Sequence, residues 1–154
     1  MTNEKLQDIE PPTHEQLLEA LPGNMEQLKA ARELFLANVV LFGEIPGPTF
    51  RETKRTQFLL DRFHESDLYD VAMDDSGNAS AILPGSRRSN VILVAAHADT
   101  VFDEETHPAM LVGQDSITGP GIADNSLGLA AIASLPMLLE QLGIQLADDL
   151  LLVG

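Results

Sequence analysis

The sequence predicts an α/β domain, and two stretches carry that prediction. The first is "VILVAA" at residues 91 to 96, six apolar residues in a row, which suits a central strand buried on both faces better than a half-exposed one. The second is "SLGLAAIASLPMLLEQLG", in which Leu127, Ala130, Ala131, Ser134, Leu135 and Leu138 fall at helical spacing, followed by another apolar run, "DLLLVG". Strand, loop, helix and strand in that order form a βαβ unit, with the second strand parallel to the first through a right-handed crossover. Pro136 inside the helix withdraws the bond to the carbonyl of Ile132.

The elements before this unit follow in order. Residues 1 to 12 are polar, end in Pro11 and Pro12, and read as a loose arm. Thr13 caps a short helix, with Gln16 completing a capping-box pattern, and "LPG" at residues 21 to 23 stops it. Residues 1–24 are thus an N-terminal arm and short helix, and residues 25–154 the main unit. Asn24 and Gln27 repeat the start signal, and Leu28, Leu34, Leu36 and Val40 fit a helix over residues 25 to 42. "GEIPGPTF" is a loop, because Pro46, Gly47 and Pro48 forbid a continuing helix. Thr49 is then the expected N-cap of a helix over residues 50 to 64, with Phe58, Leu59 and Phe63 facing a core. Asp75, Ser76, Gly77 and Asn78 signal a turn between two strands.

Composition narrows the function. Of 154 residues, 44% are apolar, enough to bury a core of single-domain size. A formal charge of −15, from 24 acidic against 9 basic residues, argues against a nucleic-acid partner, and Arg87–Arg88 is an isolated pair rather than a basic patch. With no cysteine, any metal must be held by His, Asp or Glu. No apolar leader stands at the N-terminus and no run of 18 apolar residues occurs, so a cytoplasmic protein with no membrane partner is the expectation.

The titratable residues of interest are His97, Asp99 and Asp124. His97 and Asp99 end the apolar strand and, two apart, project to one side of it, where a carboxylate can fix the tautomer of the imidazole and make it a better metal donor. The plain alternative is a solvated aspartate beside a satisfied histidine. Asp124 lies in "GPGIADNSLG", before the crossover helix, where glycines permit unusual backbone and a helix N-terminus favours an anion. Here the alternative is that Asp124, Asn125 or Ser126 simply caps the helix. The dinucleotide fingerprint is rejected, since Asp124 stands where its third glycine belongs and would repel a pyrophosphate, which leaves a nucleotide-binding fold as the weakest reading, one that a null nucleotide titration removes. All three residues are expected at the carboxyl edge of the sheet, where α/β folds place their ligands.

Together, "VILVAAHADT" and "GPGIADNSLGLAAI", preceded by "IPGPTFRETKRTQFLLDRF" and the turn "DDSGN", resemble the N-terminal part of the M20 family of zinc-dependent metallopeptidases and amidohydrolases. The resemblance implies a three-layer sandwich with a mixed, mainly parallel central sheet, incomplete in this chain. It implies two Zn2+ ions, or Co2+ or Mn2+ in their place. His97 would be a ligand of one ion, Asp124 the bridge between both and Asp99 the catalytic-site carboxylate that orients His97, with a cis peptide between Asp124 and Asn125. His14, His64 and His107 match nothing in the pattern and read as surface residues. The implied activity is hydrolysis of peptide or N-acyl amide bonds in a small peptide or acyl-amino-acid substrate. An aminopeptidase or tripeptidase is preferred from the "ADN" form of the second motif. The family's adjacent glutamates, later ligands and lid or dimerisation domain would follow Gly154. The 154 residues alone are therefore expected to be inactive, and any homodimer to form through a domain outside them. The rival reading is a non-catalytic α/β module that has lost the other half of the metal site.

Overall fold

The computed structural model describes residues 13–105 and 109–154, so the N-terminal arm and His107 lie outside the described residues. Helix α1 spans His14–Glu44 without the break expected at "LPG". The capping box forms: Thr13 Oγ1 accepts from the Gln16 amide at 3.3 Å, and Gln16 Oε1 accepts from the Thr13 amide at 2.7 Å. Pro22 then sits inside the helix, where it removes one amide donor without ending it. The second half of α1 is held by tertiary packing, with Ala31, Val39 and Phe42 buried. Residue 24 is therefore no boundary between helices.

Helix α2 spans Thr53–Glu65, three residues later than expected, and Glu52 rather than Thr49 is its N-cap. Its buried stripe includes Arg55, Leu59 and Phe63, four residues apart. Strands β1 (Tyr69–Met73) and β2 (Ala79–Leu83) form the expected hairpin. In its turn, the Asp74 carboxylate accepts from the amides of Ser76 and Asn78 and from the Asn78 side chain at 2.8–2.9 Å, while Gly77 takes φ of 90°. Strand β3 (Val91–Ala95) leads through a short hairpin, β4 (Leu111–Val112) and β5 (Ile117–Thr118), to an irregular π-helical turn, Ile122–Ser126. Helix α3 (Leu127–Gln141) runs on through Pro136 and returns the chain to β6 (Asp149–Val153).

The main sheet has the order β1-β2-β6-β3. β3 and β6 pair in parallel, as the βαβ reading requires, whereas β1–β2 and β2–β6 are antiparallel. The sheet is mixed, but among the described strands only one of its three pairings is parallel. β6, not β3, is the inner strand. β3 forms an edge, with Val91, Ile92 and Leu93 each more than half exposed, so the continuous apolar run does not mark a doubly buried position among the described residues.

All three helices pack into one core, which draws on a single face of the sheet: Ala79 and Ala81 of β2 and Leu150 and Leu152 of β6 are buried with Phe42, Leu59, Phe63 and Leu129. The opposite face, with Leu93, Ile82, Leu151 and Val153, is covered by no described helix. Of three expected layers, the described residues build two. The stretch Ile122–Gln141 is long and apolar enough to cross a membrane by length and composition. In this fold it packs as the central core helix, burying Leu129, Ala130, Ile132 and Ala133.

One polar contact aligns α1 with α3: Asn38 Nδ2 donates to Ser134 Oγ at 2.9 Å, both residues being buried. Asn38→Ala leaves that hydroxyl without its donor and is expected to lower unfolding stability by about 1–3 kcal/mol, read from urea denaturation. A change below about 0.5 kcal/mol would show that the pair does not fix the helices.

Candidate metal centre

His97 lies two residues past the end of β3, whose pairing continues one step as the Ala96 amide donates to the Val153 carbonyl at 3.0 Å. This anchors the start of the segment while leaving the imidazole half exposed at the carboxyl edge of the sheet. Asp124 arrives from the other side. The backbone before it reverses at Gly121, whose φ of 66° suits glycine, and the Ser126 amide and hydroxyl both donate to the Gly121 carbonyl, at 3.1 and 2.9 Å. The Asp124–Asn125 peptide is cis, as the resemblance implies. Asn125 Oδ1 accepts from the Gly128 amide at 3.1 Å, so the asparagine serves the start of α3 and the Asp124 carboxylate is free for other use.

The three sequence-selected residues meet. His97 Nε2 lies 2.8 Å from Asp124 Oδ1, and His97 Nδ1 lies 3.0 Å from Asp99 Oδ1. Asp99 Oδ2 in turn accepts from the Thr49 hydroxyl at 2.7 Å. That hydroxyl is delivered by the 46–49 loop, which is pinned by the Thr100 amide donating to the Gly47 carbonyl at 2.7 Å and by a parallel bridge between Pro48 and Thr100. Thr49 was expected to cap α2. Its side chain instead belongs to the site, a role for which a capping pattern in sequence gives no signal.

The charges follow from these contacts. Burial opposes charging the His97 ring, but its hydrogen bonds to Asp99 and Asp124, with their negative charges, outweigh that and raise its pKa above the ordinary value. The Thr49 hydrogen bond, against a smaller opposing effect of burial and with help from His97, holds Asp99 below the usual carboxylate range.

A cation bound by His and carboxylate has bonds of about 2.0–2.2 Å, so two donors at a tetrahedral angle stand roughly 3.3 Å apart. Nε2 and Oδ1 at 2.8 Å are within a small rotation of that spacing. The donor chemistry of His97 and Asp124 therefore fits a divalent cation, and Asp99 stands behind the imidazole. Among the described residues, no group of three or more His, Asp or Glu side chains is arranged to hold a metal ion. A groove of about 780 Å3 lies beside the turn, lined by Val40, Val112, Ile117 and Ala123, but not by His97, Asp99 or Asp124. His14 and His64 lie exposed on α1 and α2, as expected.

Fold and edge geometry define a class at the level of architecture: a mixed α/β sheet with His97, Asp99 and Asp124 gathered at its carboxyl edge. Comparison with known proteins agrees at that level. The model of Peptidase family M28 matches residues 78–153, just under half of the chain and including His97, Asp99 and Asp124. The M20 likeness rests instead on solved structures. The di-peptidase Dug1p from Saccharomyces cerevisiae superposes with a TM-score of 0.73 at 12% identity, over 87% of this chain and 34% of that one. The aminopeptidase PepT from Bacillus cereus gives 0.67 at 19%, over 79% and 35%. A dinuclear metal-binding peptidase of the M20 family from Bacillus subtilis gives 0.59 at 16%, over 81% and 35%. The chain thus spans about a third of the length of these structures, and the likeness is one of fold. No curated protein matches it.

Proposed function

We propose that this chain carries the first half of the metal site of an M20-type metallopeptidase that hydrolyses peptide or N-acyl amide bonds. The carrying observation is the line Asp99–His97–Asp124, in which one carboxylate occupies each ring nitrogen at 3.0 and 2.8 Å. In this reading His97 Nε2 and Asp124 would hold a divalent cation, Zn2+ or in its place Co2+ or Mn2+, and Asp124 would also serve a second. Bound there, the metal pair would supply an activated water and polarise the scissile carbonyl. Asp99 keeps the His97 proton on Nδ1, so that Nε2 presents its lone pair, and Thr49 keeps Asp99 in place. The general base and the other ligands are contributed by the rest of the full-length protein, in keeping with the third of its neighbours' length that this chain covers.

The tripeptidase from Staphylococcus aureus and the aminopeptidase and di-peptidase neighbours support small peptides as substrate over acylated amino acids. An acidic chain without cysteine suits a cytoplasmic setting. The test is to purify the full-length protein, measure bound metal, and assay di- and tripeptides and N-acyl amino acids before and after chelation. Activity lost on chelation and restored by zinc supports the reading; a protein that binds no divalent metal and cleaves none of these refutes it. The rival, a non-catalytic module, draws on the two-donor count and predicts that second outcome. Asp99→Asn is expected to weaken zinc binding or turnover roughly 10- to 100-fold. Unchanged metal content and turnover in that variant would remove the orienting role.

A further inference from the structure

Arg55 is a charged residue inside the core. It is 1% exposed, on the same stripe of α2 as Leu59 and Phe63, and its Nε has no hydrogen-bond partner among the described residues. Burial lowers its pKa to about 10, with the negative charge of Asp99 opposing part of that effect. A structural role alone would be poorly served by such a group, since a buried cation carries a desolvation penalty of several kcal/mol that apolar packing avoids. Its contacts run toward the metal edge. Arg55 Nη2 donates to Ser126 Oγ at 2.7 Å, and that hydroxyl in turn donates to the Gly121 carbonyl at 2.9 Å, closing the turn that carries Asp124. On the other side its stem lies against Gly47: a Cβ there would stand 2.3 Å from Arg55 Cδ, so glycine is required for the approach. Gly47 accepts from the Thr100 amide and lies two residues before Thr49, which holds Asp99.

We propose that Arg55 is a positioning residue for the metal centre, joining the loop that holds Asp99 to the turn that presents Asp124, so that the two carboxylates flank His97 at a fixed spacing. This rests on the functional reading above. The side chain touches neither carboxylate in a hydrogen bond; it acts through Ser126 and through the backbone at Gly47.

Two effects of removing it oppose one another, which makes the sign informative. Loss of positioning weakens metal binding, whereas loss of a nearby positive charge would by itself strengthen it. Positioning dominates if the proposal holds. In the full-length protein, Arg55→Met, which keeps a packed stem, should therefore weaken zinc affinity about 10-fold or more, measured by chelator competition on protein shown to be folded by circular dichroism. Arg55→Lys, restoring a charge without the planar fork, should recover only part of that. Ser126→Ala cuts the same path and serves if Arg55→Met does not fold; it should lower affinity in the same direction. A variant with reduced unfolding midpoint but unaltered or tighter zinc binding in the folded state would overturn the proposal. If the unsubstituted protein binds no metal, the functional reading itself falls, and that result is distinct.

Discussion

His97→Ala is expected to abolish stoichiometric zinc binding in the full-length protein, and hydrolysis with it. Among the described residues the imidazole is the only nitrogen donor at the edge, and it is also what separates Asp99 from Asp124, at 3.0 and 2.8 Å. Without it, one ligand is lost and two carboxylates face each other across the gap, so the effect should exceed the roughly 10- to 100-fold loss of an outer partner. The side chain is half exposed and outside the core, so the fold should persist and the defect be confined to metal content, read by metal analysis of the purified variant. Retained stoichiometric zinc would mean that the site lies elsewhere.

Acidity gives the same result reversibly. The His97 pKa is raised by its two carboxylates, and the protonated ring offers no lone pair to a metal. Zinc affinity should therefore start to fall, as pH drops, above the ordinary imidazole value of about 6.5. For folding the sign is opposite. A folded pKa above the unfolded one contributes stability that is fully present below the unfolded value and is lost as pH rises through the folded value, so the metal-free protein gains from this group on acidification. Titrating zinc affinity and unfolding midpoint over the same pH series should show them moving in opposite directions. Parallel movement would contradict the assigned environment of His97.

Much of this site is legible in sequence because local patterns place it. An apolar run ending in His97 and Asp99, a glycine-containing turn bearing Asp124, and a helix between two apolar strands are local facts, and the parallel β3–β6 pairing follows from chain connectivity. What sequence misses is set by tertiary context. "LPG" contains strong stop signals, yet α1 continues through Pro22, and its later half is fixed by the burial of Ala31, Val39 and Phe42. Thr49 and Glu52 form a sound capping pattern, but the threonine hydroxyl instead donates to an ionised carboxylate 50 positions away, and such a charge-assisted bond is stronger than the neutral one a cap makes. "VILVAA" is apolar enough for an inner strand, while strand order is decided by β6 inserting between β2 and β3. Arg55 did leave a trace: a charge in register with Leu59 and Phe63 on an otherwise apolar stripe.

Phe42→Ala should produce the largest loss of stability. Phe42 is fully buried near the C-terminus of α1, with its ring 4.8 Å from that of Phe58 at 69°, an edge-to-face contact that joins α1 to α2. Arg62 lies over the other ring, 5.1 Å from its centroid. Truncating a buried phenylalanine costs about 3–5 kcal/mol, and loss of the aromatic pair is part of that penalty. Against a typical total of about 5–15 kcal/mol, this is enough to leave a measurable unfolded population. The position adds a functional consequence. Three residues after Phe42 the helix ends at Ile45, and the chain enters the loop that carries Gly47 and Thr49 to Arg55 and Asp99. Loosening the last turn of α1 should therefore release the loop before the sheet melts, so zinc affinity in the remaining folded protein falls along with the denaturation midpoint. Leu34→Ala, on the exposed face of the same helix at 49% exposure, serves as control and should alter neither by more than about 0.5 kcal/mol. If Phe42→Ala destabilises the protein while its folded fraction binds zinc as before, α1 supports the fold without supporting the site.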